Sequence, residues 1–183
     1  MNPGSSIRKK PAPLKRGAVA RAARRQASAV EAFYAQALAI ERTAAERYRE
    51  LAREMANGGN VGTAELFLRL AHFEAEHAGR LLKNAAGMKL PSVSRRRLVE
   101  AGVSEIANYE FLYRRVPPQH ALLMALAAER RAKAFFERTR ASAADPAIRR
   151  LAAEFAREED EHIAWLDAAL ANEPAQPSRY LPD

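Results

Sequence analysis

The chain has 183 residues, enough for one well-packed domain and short for two. Sparse glycine, abundant alanine and only 7% aromatic residues suit helices packed at close range. The absence of cysteine excludes disulfides, thiolate zinc sites, iron–sulfur clusters and a cysteine nucleophile, and leaves oxygen and imidazole as metal donors. The formal charge is +8, yet residues 1–30 hold eight basic side chains and no acid, so Glu31 to Asp183 is neutral on balance.

Residues 1–26 read as a basic, disordered tail punctuated by Pro3, Gly4, Pro11, Pro13 and Gly17, with Ala18 to Gln26 offering a start to a helix. Such a charge run either solubilises the chain or binds nucleic acid or another polyanion through phosphate contacts. No aromatic residue is interleaved with these charges, so base stacking has no support. No apolar run reaches the roughly 18 residues needed to span a bilayer, and the start lacks the apolar segment of a secretory signal. The expectation is a cytoplasmic protein without membrane association.

The remainder, residues 27–172, predicts an all-α antiparallel four-helix bundle. The first helix is expected from about Ser28 to Met55. Val30, Tyr34, Ala37, Glu41, Ala44, Tyr48, Leu51 and Met55 alternate four and three apart, the seam of a bundle helix, and Glu41 sits within it. Asn57-Gly58-Gly59-Asn60 ends it in a short reversal. The second helix, from Thr63 as N-cap to near Gly87, has the seam Phe67, Leu70, Glu74, His77 and Leu81. Residues 88–118, bounded by Pro91 and Pro117-Pro118, are too many for a plain loop. They are expected to carry helix within one long crossover of the ferritin-like kind.

The third helix, about Gln119 to Ala141, lines its inner face with Leu122, Ala125 or Leu126, Glu129, Ala132 and Phe136. The fourth opens with Asp145 as N-cap and Pro146 at the first helical position. Its seam is Ile148, Ala152, Phe155, Glu159, His162, Leu166 and Leu170, and Pro174 marks its end before a short tail over 173–183.

Four predicted helices thus each place one glutamate in an apolar seam: Glu41, Glu74, Glu129 and Glu159. Two add a histidine one turn on, His77 and His162. Buried carboxylates are costly unless paired or bound to metal. A single Glu-x-x-His is common by chance, but two copies on apolar seams, joined by two further seam glutamates, share one explanation. Four carboxylates and two imidazoles are the general ligand set of two iron or manganese ions in the core of a ferritin-like carboxylate protein. Glu74 and Glu159 are assigned as bridges, Glu41 and His77 to one metal, Glu129 and His162 to the other. The competing reading, salt bridges to buried arginines, finds no arginine in register. His72 falls about 140° around the helix from His77 and is expected at the surface, like His120. Glu76, Glu158 and Glu161 are read as solvated charges, and Phe135 and Phe136 as walls. Tyr48, two turns beyond Glu41, is a candidate hydrogen-bond donor to a metal carboxylate.

In the segments Glu41 to Tyr48, Glu74 to His77, Ala127 to Phe136 and Glu159 to His162, the chain resembles the rubrerythrin family of ferritin-like proteins. The resemblance implies a di-iron centre reacting with peroxide or dioxygen, often in a homodimer. Two departures stand out. The four-cysteine rubredoxin centre of rubrerythrins proper is missing, and Ala132 stands where they add a glutamate one turn after the third-helix ligand.

The leading expectation is a di-iron, or iron and manganese, oxidoreductase acting on Fe(II) with O2 or H2O2 and limiting oxidative damage. A peroxidase of this kind would need a separate electron donor protein. A non-catalytic metal-binding module, using its basic tail on nucleic acid, is the alternative. An oxygenase for an organic substrate is a third.

Overall fold

Alanine-rich segments with apolar residues three and four apart form four long helices in the computed structural model, which describes residues 16–94, 96 and 116–173. They are α1 (Arg16–Asn57), α2 (Val61–Asn84), α3 (Pro118–Ser142) and α4 (Pro146–Asn172). No strand occurs among the described residues, and no helix there is long and apolar enough to cross a membrane. The expected first part of the tail, most of the crossover and the C-terminal tail lie outside the described residues.

Two helical hairpins, α1 with α2 and α3 with α4, make up the bundle. Asp145 caps α4 as expected, its carboxylate accepting from the backbone N–H of Ala147 at 2.7 Å. Gly59, at φ 78°, supplies the left-handed turn after α1, and the Asn60 N–H closes onto the Met55 carbonyl at 2.8 Å. Two boundaries differ from expectation. Helix α1 begins at Arg16, so the start offered by Ala18 to Gln26 runs without a break into the helix expected from Ser28, because alanine and arginine are strong helix formers and no proline follows Pro13 before the helix is under way. The described side chains of residues 20–29 are exposed on it, so this basic stretch is helix surface. Thr63 lies inside the first turn of α2, with Asn60 at the N-cap; its hydroxyl instead donates to Glu173 Oε1 at 2.8 Å, tying α2 to the end of α4.

The core is divided. One apolar cluster gathers Phe33, Leu38, Leu81, Phe135, Phe136, Ile148 and Phe155; another gathers Leu51, Met55, Phe67, Leu70, Leu122, Leu126 and Leu166. Along α1 and α4 the chain passes from the first cluster to the second, and along α2 and α3 from the second to the first. Helices α2 and α3 are therefore parallel, and the chain between them must travel the length of the bundle, on the order of 36 Å for a 24-residue helix. Residues 85–117 have ample reach for that. Between the two clusters lies a polar layer.

Candidate metal centre

Each helix delivers its polar residue to that layer by position alone. Glu41 follows Ile40 of the first cluster and precedes Tyr48 of the second; Glu129 lies between Leu126 and Ala132 on α3. Glu74 with His77, and Glu159 with His162, are three apart and so share one helix face. All six are buried, none more than 4% exposed. The structure thus brings together all six predicted residues.

His77 Nδ1 stands 3.1 Å from Glu41 Oε2 and 3.8 Å from Glu74 Oε2. His162 Nδ1 stands 3.0 Å from Glu74 Oε1, 3.4 Å from Glu159 Oε2 and 3.7 Å from Glu129 Oε2. The two imidazoles lie nearly parallel with centroids 5.4 Å apart. Tyr48, fully buried, donates its hydroxyl hydrogen to Glu129 Oε1. The donor atoms form two groups, Glu41, Glu74, His77, Glu159 and Glu74, Glu129, Glu159, His162, each with its atoms within 4.8 Å of one another. Glu74 and Glu159 belong to both.

Four carboxyl groups this close and this dry cannot all be ionised without a counter-charge. Burial pushes Glu41 up to about 7, against a hydrogen bond with Glu74 that pulls it down. Glu74 and Glu159 are driven well above the usual carboxylate range, by burial first and then by their carboxylate neighbours. Burial also acts to raise Glu129, but its close neighbours Glu159 and His162 and the Tyr48 hydroxyl outweigh it and hold this group below its ordinary value. His77 is lowered, chiefly by burial. For His162, burial is overcome by the close carboxyl groups of Glu129, Glu159 and Glu74, and its pKa is raised.

Several buried atoms of the layer find no hydrogen bond: Glu41 Oε1, Glu74 Oε1, Glu159 Oε2 and His162 Nδ1. The 3.0 Å approach of His162 Nδ1 to Glu74 Oε1 is close but not aligned as a hydrogen bond. Unpartnered acceptors that converge in a dry core are costly, and a cation resolves that cost. Two divalent ions would also balance the charge of four carboxylates while the imidazoles stay neutral. The cluster fits metal ions.

A cavity of about 30 Å³ adjoins the layer between α1 and α3, lined by Ile40, Ala44, Arg47, Ala128 and Ala132 and by the carboxylates of Glu74, Glu129 and Glu159. His72 and His120 are exposed as expected, His72 pairing with Glu76 on its own helix at 3.5 Å. Glu158 is different from its expectation. It approaches His77 Nε2 at 3.5 Å and accepts from Arg80, which also donates to Glu154 at 2.8 Å. Phe73 and Trp165 pack beside His162, with centroids at 6.0 and 5.4 Å, and were likewise not singled out by the seam pattern. The sequence held one usable signal for the first pair: Arg80 lies one turn beyond His77, and Glu154 and Glu158 are one turn apart on α4.

Comparison with known proteins agrees with this architecture. The rubrerythrin family model matches residues 33–170. Among solved structures, the chain is similar to an uncharacterized conserved protein from Magnetospirillum magnetotacticum MS-1, with 34% identity and a TM-score of 0.70 over 81% of this chain and 97% of that one. A search of curated proteins gave no match. With a four-helix fold, a buried layer of four glutamates and two histidines, and a family match across most of its length, this chain belongs to the rubrerythrin family.

Proposed function

We propose that the chain is a di-iron, or mixed iron and manganese, carboxylate oxidoreductase that acts on Fe(II) with O2 or H2O2 and so limits oxidative damage. The observation that carries this reading is the pair of four-residue donor groups sharing Glu74 and Glu159. In it, Glu41, Glu74, His77 and Glu159 would hold one ion and Glu74, Glu129, Glu159 and His162 the other, with Glu74 and Glu159 common to both. A bound metal pair supplies the two-electron redox chemistry that O2 or peroxide requires.

The chain's own residues do the rest. Tyr48 holds Glu129 through its Oε1 and leaves Oε2 on the side of His162. The two apolar clusters keep water from the layer on both sides, which strengthens every charge interaction inside it. The cavity between α1 and α3 has room for one or two molecules of about the size of water, which favours a small oxidant over an organic substrate. Ala132 lines it and brings no further carboxylate. With no cysteine in the chain, peroxide turnover draws electrons from a separate donor protein, whereas in Fe(II) oxidation the substrate is itself the donor.

Anaerobic titration with Fe(II) is expected to saturate near about two ions per chain. Peroxide should then oxidise bound Fe(II) faster than the same amount free in solution. Alanine at both Glu74 and Glu159 should abolish loading; unchanged loading there would remove the site assignment. Loading without faster oxidation would leave the non-catalytic, metal-binding reading in its place.

A further inference from the structure

We infer that Glu158, steadied by Arg80, is the positioning residue for His77: it receives the Nε2 proton of the imidazole and so keeps the Nδ1 lone pair turned toward Glu41 and Glu74. The inference rests on the reading of His77 as a metal donor and adds what makes it one.

A neutral imidazole carries one N–H, and whichever nitrogen holds it cannot bind a metal. The His77 ring has little freedom to turn. It lies edge-on to Phe155, with centroids 5.3 Å apart and planes at 88°, and stacks on His162. Nδ1 therefore stays toward the carboxylate layer and Nε2 toward α4. A donor set that uses Nδ1 needs a proton acceptor at Nε2, and Glu158 Oε2 stands there at 3.5 Å. That distance is at the outer limit of a hydrogen bond, and about half an ångström of side-chain movement closes it.

Glu158 is itself restrained. Arg80 donates to it, donates to Glu154 at 2.8 Å, and lays its guanidinium over the Phe155 ring at 5.0 Å. Its side chain is only 20% exposed, whereas that of Glu154 is 45% exposed. The unit is local to the α2–α4 seam, for Arg80 is one turn beyond His77 and Glu158 immediately precedes Glu159. Imidazole ligands whose outer nitrogen meets a carboxylate are better oriented and more basic, and loss of that partner typically costs 10–100-fold in metal affinity. His162 has no such partner: among the described residues no carboxylate meets its Nε2.

The test uses the full-length, metal-free protein with ¹⁵N-labelled histidine at about pH 6.5. There the Glu41 carboxyl, raised to about 7, still holds a proton it can donate to Nδ1 at 3.1 Å, and His77, lowered by burial, is mostly neutral. Long-range ¹H–¹⁵N correlation spectra should show His77 with its proton on Nε2. Glu158→Ala should shift that resonance pattern toward the Nδ1–H form, and Glu158→Gln, whose carbonyl still accepts, should restore the wild-type pattern. Titration with Co(II), followed by its visible bands, should show one of the two binding steps weakened about 10–100-fold in Glu158→Ala and near normal in Glu158→Gln. An unshifted tautomer in a protein that binds Co(II) overturns the positioning role alone. A shifted tautomer in a protein that binds no Co(II) supports it and instead removes the metal reading. Equal weakening of both steps, with glutamine as damaging as alanine, marks a merely structural residue and overturns the inference.

Discussion

The two halves of the layer carry the same ligand types and differ in what surrounds them. Each half pairs a lone glutamate with a Glu-x-x-His: Glu41 with Glu74 and His77, Glu129 with Glu159 and His162. Around His77 the outward contacts are charged and partly exposed, through Glu158 and Arg80. Around His162 they are aromatic, through Phe73 and Trp165, with the Arg69 guanidinium over the indole at 5.8 Å. Glu129 receives the Tyr48 hydroxyl, whereas Glu41 Oε1 has no partner. The consequence is electrostatic. In the metal-free protein the surroundings favour negative charge on Glu129 beside a protonated His162 and favour protons on Glu74 and Glu159, while Glu41 changes over at about 7. A ligand set that is symmetric in residue types is thus asymmetric in charge before any ion enters.

Acidity is the most direct way to sharpen this difference. Metal must displace the protons held by Glu74, Glu159 and His162, and by Glu41 below about pH 7, so apparent affinity should rise with pH, by about tenfold per unit for each proton displaced. For Glu41 the rise should flatten above its value of about 7. Titration calorimetry in buffers of different ionisation enthalpy counts those protons, and an affinity flat from pH 6 to 8 would contradict the charge distribution. The metal-free fold should show the converse. Because the folded pKa of Glu41 is raised above its unfolded value of 4.5, its contribution to stability is fully present below 4.5 and is lost as pH rises through about 7. The loss is on the order of 3 kcal/mol for that group.

Neutralising one lone glutamate at a time should then give opposite signs. At pH 8, Glu41→Gln relieves a buried charge faced only by the His77 imidazole at 3.1 Å and should stabilise the metal-free protein, raising its melting temperature by about 2–4 °C per kcal/mol recovered. Glu129→Gln removes the charge that His162 and Tyr48 both address and should destabilise it, by about 1–3 kcal/mol. Thermal melts of the two variants decide it; shifts of the same sign would mean that the halves are electrostatically alike.

How much of this was legible depended on whether a residue's role follows from its own helix. Glu41, Glu74, Glu129 and Glu159 stood out because an apolar seam with a 3–4 period makes any charge within it conspicuous. The Asp145 cap was legible for the same reason, being set by its immediate neighbours. Glu158 was not, since it lies about 100° around α4 from Glu159, and only the approach of α2 turns that face inward. Phe73 and Trp165 likewise flank seams and became neighbours of His162 only through packing. Thr63 failed differently, and the start of α1 was legible only in part. A threonine after a glycine-rich turn is a good cap in isolation, but the turn had already closed at Asn60; a basic run reads as a tail unless its alanine content is weighed as helix propensity.

The smallest expected effect bears on the charged side of the comparison. Arg80 binds two carboxylates that differ mainly in exposure. Its pair with Glu154 is closed at 2.8 Å, yet both side chains are more than a third exposed, at 39% and 45%. Solvent screening and side-chain entropy leave such a pair worth little, so Glu154→Gln should change stability by less than about 0.5 kcal/mol. It should also leave the His77 tautomer as it is, because Glu158 still holds Arg80 and still faces Nε2. A chemical denaturation series with the ¹⁵N spectrum of the same variant measures both. If Glu154→Gln disturbed His77 as much as Glu158→Ala, the restraint on the imidazole would reside in the Arg80 anchor at the surface, and the contrast between the two histidines would be one of surface charge instead of a direct carboxylate contact.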